Sequence, residues 1–144
     1  MNVALASDHA GIELKAQLVD ELRALGHQPL DLGPHEPAST DYPDWADTLA
    51  AVLADGRAER GVLVCGSGIG MSIAANRHAH IRAALATDAT MARLAREHND
   101  ANVLALGARL IGPEVARDCL RAFMASDYAG GRHEARVVKL SRRS

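Results

Sequence analysis

Short apolar runs alternate along the chain with stretches in which apolar residues return every three or four positions. NVALAS (2–7), HQPLDL (27–32), GVLVCG (61–66), IRAALA (81–86) and NVLALG (102–107) read as strands. Between them, Leu14, Leu18, Leu22 and Leu25 recur with helical spacing, as do Met91, Leu94 and Ala95, and Val115, Cys119, Ala122 and Phe123. Gly26 closes the first helix, Gly33 and Pro34 open a loop, and Pro113 stands where a first helical position is expected. Strand and helix therefore alternate, and strands that read as continuously apolar belong in a parallel sheet covered on both faces. The predicted fold is α/β: a Rossmann-like, doubly wound sheet of about five parallel strands in a three-layer α/β/α arrangement.

A length of 144 residues, 48% of them hydrophobic, suits one domain over 1–144 with a single sizeable core. A formal net charge of -2 with no long block of like charge does not advertise nucleic acid or an anionic membrane as a partner. Aromatic residues make up only 3% of the chain, so stacking platforms for single-stranded nucleic acid are absent too. The expected ligand is a small molecule. The apolar runs fall short of a membrane span and MNVALASDHAG lacks the pattern of a secretory signal, so a cytoplasmic setting is expected, with Cys65 and Cys119 as free thiols. The one basic portion is the tail YAGGRHEARVVKLSRRS (128–144), which holds a Gly-Gly break and is expected to leave the core and pack on a partner subunit.

Ligands of such sheets bind where strands hand over to helices at the carboxyl edge. That rule singles out Ser7, Asp8 and His9, then Cys65 to Gly70, Thr87 and Asp88, and Gly107 with Arg109. CGSGIG offers unobstructed backbone N–H groups ahead of a helix, a setting for an oxyanion or a phosphate. Met71 stands where a dinucleotide fingerprint needs its third glycine and where a cysteine phosphatase needs arginine, and no Gly-Lys-Ser/Thr follows. Cys65, between a strand and a helix N-terminus, is either a base or nucleophile favoured by the helix dipole or a thiol that fills space. Cys119 lies on an apolar stripe and reads as core. Asp8 or Ser7 caps the next helix or contacts an anion. His98, seven residues after Met91, falls on the apolar face and is open between a core histidine and a functional one, while Asn99, Asp100 and Asn102 suit a turn. Arg132 and Arg136, four apart, share a helix face that suits either a phosphate monoester or solvent. No Cys or His cluster has metal-ligand spacing, so neither a metal nor another cofactor is expected.

Taken together, ALASDHAGIELK, TDYPDWA, CGSGIGMSIAANR, HNDANVLALGAR and YAGGRHEARV resemble, in order and spacing and over essentially the whole chain, the type B ribose-5-phosphate isomerases, grouped with galactose-6-phosphate and allose-6-phosphate isomerases. The resemblance implies interconversion of ribose 5-phosphate and ribulose 5-phosphate in the pentose phosphate pathway, with a six-carbon sugar phosphate as the alternative substrate. It implies Cys65 as the base that moves a proton between C1 and C2. One branch of the family uses a glutamate where Met71 stands, so the chain looks like the cysteine branch. His98 corresponds to the acid that opens the ring, and Asp8, His9, Tyr42, Gly66, Ser67, Gly68, Ile69, Gly70, Asn99, Arg109, Arg132 and Arg136 to substrate contacts. It places phosphate on the arginines and the reacting end of the sugar on the glycine turn. Because His98 ends a helix antiparallel to the strand that Cys65 ends, the two fall at opposite sheet edges, and the joint role implies a homodimer with shared sites, or a dimer of dimers. A nucleotide-binding α/β domain without enzymatic activity would account for the fold and glycine turn alone.

Overall fold

In the computed structural model, residues 1–141 are described, and residues 142–144 of the basic tail lie outside the described portion. Five parallel strands, β1 (Asn2–Ser7), β2 (Gln28–Gly33), β3 (Arg60–Cys65), β4 (Ala83–Leu85) and β5 (Val103–Gly107), form one sheet in the order β2-β1-β3-β5-β4. The helices are α1 (Ile12–Ala24), α2 (Tyr42–Ala54), α3 (Ile69–Ala75), α4 (Ala89–Asn99), α5 (Pro113–Ala125) and α6 (Glu134–Ser141), with short 3-10 turns at His9–Gly11 and Gly131–His133. The predicted strands are all present, shifted by a residue at several ends, and β4 is shortened to three residues.

Alternation along β1 separates two cores. Val3 and Leu5 face α1, α4 and α5, whereas Ala4 and Ala6 face α2 and α3. Leu14, Leu18 and Leu22 of α1 bury the expected stripe, each contributing roughly 2 kcal/mol on removal from water. Leu25 lies beyond the helix and is 40% exposed. The stripe of α4 is rotated from the predicted one. Ala92, Ala95 and Arg96 are buried while Met91 is exposed, because small alanines let the helix sit close and long side chains can lie at its margins. In α5 the seam is likewise Ala116, Cys119, Leu120, Phe123 and Met124, with Val115 at its exposed border. Helix α2 buries Ala46, Leu49, Ala50 and Val52, with Trp45 and Leu53 packed at the margin of the same core, and it starts at Tyr42 with Pro43 in a first-turn position, where the missing N–H costs nothing.

Edge strand β4 is terminated by a side chain. Asn76 Oδ1 accepts from Ala83 N–H at 2.7 Å and its Nδ2 donates to Ala83 O at 2.9 Å. The tail leaves α5 and returns to its own chain at the amino edge of the sheet, where Ala129 N–H donates to Glu97 O at 3.0 Å and Val137 is buried. Among the described residues, no helix is long and apolar enough to cross a membrane.

Candidate active site

The β3–β5 ladder runs to Cys65 and Gly107, after which the chain must turn before α3 begins at Ile69. Gly68 makes the turn with φ +78°. A Cβ there would lie 2.6 Å from the Leu85 side chain and 2.9 Å from the Leu106 carbonyl carbon, so conformation and space both demand glycine. The bend returns Gly68 N–H to Cys65 Sγ at 3.1 Å, and Ile69 N–H donates to Ser67 Oγ at 3.2 Å. Two amides expected to face a ligand are thus used within the turn. Those of Gly66, Ser67 and Gly70 are the remaining candidates.

Neighbouring loops fasten this turn on both sides. Ala108 N–H donates to Cys65 O and Arg109 N–H to Gly66 O, each at 2.9 Å, which holds the Arg109 guanidinium over Gly66. Asp8 N–H donates to Val64 O at 3.1 Å, while Asp8 Oδ1 accepts from Ala10 N–H at 2.9 Å. Asp8 therefore caps the 3-10 turn and also lines the site. An open cleft of about 570 Å³ results, lined by Asp8, Tyr42, Cys65, Gly66, Ser67, Ile69, Gly70 and Arg109. Ile73 and Leu110 also line it. Neither was marked from the sequence, although Ile73 stands one helical turn beyond Ile69 and Leu110 directly follows Arg109. His9 is exposed and its Nδ1 accepts from Thr40 N–H at 3.2 Å. The buried hydroxyls of Ser7 and Thr40 have no hydrogen-bond partner among the described residues. Cys119, by contrast, is fully buried, and burial pushes its thiol up to about 11.

His98, Asn99, Arg132 and Arg136 are not brought to this cleft. Asn99 ends α4 four residues before β5 begins and lines a different cleft, with Asn76 and Arg82. His98 is half-buried rather than in the core, and its ring stacks on His133 with centroids 4.4 Å apart and planes 15° apart. Burial lowers the His133 pKa, and proximity to His98, Arg132 and Arg136 lowers it further, so the neutral imidazole is favoured. Arg132 and Arg136 follow on one continuous helical segment, are exposed, and like Arg109 form no ion pair among the described residues. The carboxyl edge thus carries a thiol and a polar turn, and the amino edge an imidazole, an amide and two unpaired guanidiniums. Among the described residues, no group of three or more His, Cys, Asp or Glu side chains could hold a metal ion.

The family model for ribose/galactose isomerases matches residues 3–140. The chain belongs to that family. Within the ribose/galactose isomerase family, it is similar to ribose-5-phosphate isomerase B of Escherichia coli (strain K12), 42% identical over 96% of this chain and 93% of the relative. It is also similar to D-erythrulose-4-phosphate isomerase of Pectobacterium atrosepticum, 41% identical over 97% of this chain and 93% of the relative. The solved structure of Clostridium thermocellum ribose-5-phosphate isomerase B superposes with a TM-score of 0.96 at 43% identity, covering 98% of this chain and 95% of the other.

Proposed function

We propose that this protein is an aldose–ketose isomerase that interconverts ribose 5-phosphate and ribulose 5-phosphate, with Cys65 as the proton-transfer base. The observation that carries the reading is the Gly68 N–H bond to Cys65 Sγ beside a polar turn in an open cleft. A donor fixed on the sulfur stabilises the negative charge it must carry as a base. Cys65 removes the proton alpha to the carbonyl and returns it to the neighbouring carbon. The backbone N–H groups of Gly66, Ser67 and Gly70 face the enediolate oxygens as they gain charge. Asp8 and Ser67 suit sugar hydroxyls, and Tyr42 walls the cleft. His98 donates a proton to the ring oxygen as the ring C1–O bond breaks and the anomeric hydroxyl gives its proton to water, which leaves the open-chain aldehyde; Asn99 and His9 contact the substrate, and Arg109, Arg132 and Arg136 take the phosphate as unpaired guanidiniums.

These roles require a second copy. Cys65 ends β3 at the carboxyl edge and His98 lies near the end of α4 at the amino edge, with strands of roughly 17–20 Å between the two edges, too far for one sugar phosphate to touch both. A homodimer in which each chain lends its amino-edge groups to the other's cleft resolves the distance and makes two equivalent sites. The rim supports this: Ile69, Ile73 and Leu110 are 50%, 56% and 62% exposed around the cleft, an apolar border suited to burial against a partner. A cytoplasmic setting fits two cysteines that are both free thiols.

A second substrate reading has its own support, since identity to the four-carbon isomerase and to ribose-5-phosphate isomerase B differs by only one percentage point, from 41% to 42%. Turnover of ribose 5-phosphate, erythrose 4-phosphate, allose 6-phosphate and galactose 6-phosphate should be compared. The highest kcat/KM is expected on ribose 5-phosphate. Preference for another substrate replaces that assignment, and no isomerisation of any of them overturns the proposal.

A further inference from the structure

Asp100 is the one residue other than glycine with positive φ among the described residues, at φ 48° and ψ 43°. It follows His98 and Asn99 directly and ends α4 in the left-handed conformation that Gly or Asn adopts with less strain. Its carboxylate joins two guanidiniums: Oδ1 accepts from Arg96 Nη1 at 3.0 Å and Oδ2 from Arg82 Nη2 at 3.4 Å.

Each arginine reaches onward to a different part of the tail. Arg96, almost fully buried, donates through Nη1 to Ala101 O at 2.7 Å and through Nε to Ser126 O at 3.3 Å, where the chain leaves α5. Arg82 donates through Nε to Asp100 O at 2.8 Å and through Nη1 to Ser141 Oγ at 3.3 Å, at the end of α6. Asp100 is thus connected through Arg96 and Arg82 to both ends of the segment 126–141, which carries Arg132 and Arg136, and it directly follows His98 and Asn99 at the end of α4.

We propose that Asp100 is a positioning residue that locks the imidazole of His98 and the guanidiniums of Arg132 and Arg136 into one rigid half-site. This rests on the isomerase reading above. It touches no substrate in that role. It sets the separation between the group that protonates the sugar ring and the groups that hold its phosphate, a separation that a single rigid substrate must match.

The test uses the full chain with Asp100→Gly, which keeps the left-handed backbone and removes the carboxylate, and Asp100→Asn, which keeps that backbone and one acceptor oxygen. Hydrogen exchange, inhibition by inorganic phosphate and kcat on ribose 5-phosphate are measured for each. Asp100→Gly should speed exchange across 126–141 while leaving β1 and α1 at parent values. It should raise the phosphate inhibition constant and lower kcat, each by about tenfold, with Asp100→Asn between parent and Asp100→Gly. Unchanged exchange across 126–141 in Asp100→Gly overturns the proposal. So does a lowered melting temperature with phosphate inhibition and kcat intact, which would make Asp100 a helix cap and nothing more. If the parent chain shows no isomerisation or no phosphate inhibition, the isomerase reading fails, and the exchange data still judge the lock by themselves.

Discussion

The two cysteines sit in different surroundings. Cys65 receives an amide N–H and borders an open cleft, whereas Cys119 is enclosed by apolar side chains that push its thiol up to about 11. Replacing Cys65 with alanine should lower kcat by about a thousandfold or more, a loss expected on removing a proton-transfer base, while circular dichroism and melting temperature stay close to parent. Near-normal turnover would sink the base assignment. Cys119→Ala should keep kcat and cost roughly 1 kcal/mol of stability through the small void it leaves, read from denaturant unfolding. The difference between the thiols was partly legible in the sequence. Cys119 showed its role through helical spacing, but Cys65 needed the bond from Gly68, which depends on a backbone angle that sequence does not display.

At the level of elements, strand runs were easy to read because buried parallel strands are apolar throughout, as in β1, β3 and β5. The stripes of α4 and α5 were harder. A stripe drawn through Met91, Leu94 and Ala95 caught only Ala95 of the buried seam, since small residues such as Ala92 carry little hydrophobic signal. Helix α2, by contrast, was legible from Ala46, Leu49, Ala50 and Leu53 at helical spacing, although the strand-helix reading did not name it. The β3–α3 turn yields a sharp expectation. Gly68→Ala meets both a positive φ and a backbone carbonyl, so it should destabilise by about 2 kcal/mol or more and lower the melting temperature by roughly 5 °C. Turnover should fall with it, because the amide on Cys65 Sγ moves. Arg136→Ala on α6 should instead raise KM by about tenfold with little change in kcat, because a phosphate is held alike in ground and transition states. Steady-state kinetics distinguishes that pattern from a loss confined to kcat.

For the whole molecule, the placement of Cys65 and His98 at opposite edges of the sheet was legible from chain direction alone, since a helix that returns from one edge to the other ends away from the strand's carboxyl end. The return of the tail onto α4 was not, because the contacts of Ala129, His133 and Ser141 rest on the path of a glycine-rich connection. If sites are shared, reassembling Cys65→Ala and His98→Ala chains should restore activity that neither has alone, through the one site per mixed dimer that retains both groups. Verified mixing with no recovered turnover would refute sharing. The β4 border of the sheet bears on how copies could meet edge to edge. Arg82 O and Ala86 N–H bond to β5, so alternation turns Ala83 and Leu85 outward, and Asn76 occupies both backbone groups of Ala83. One carboxamide thus stands in for a sixth strand at Ala83, so that at this residue the β4 edge offers no free backbone group to a strand of another copy.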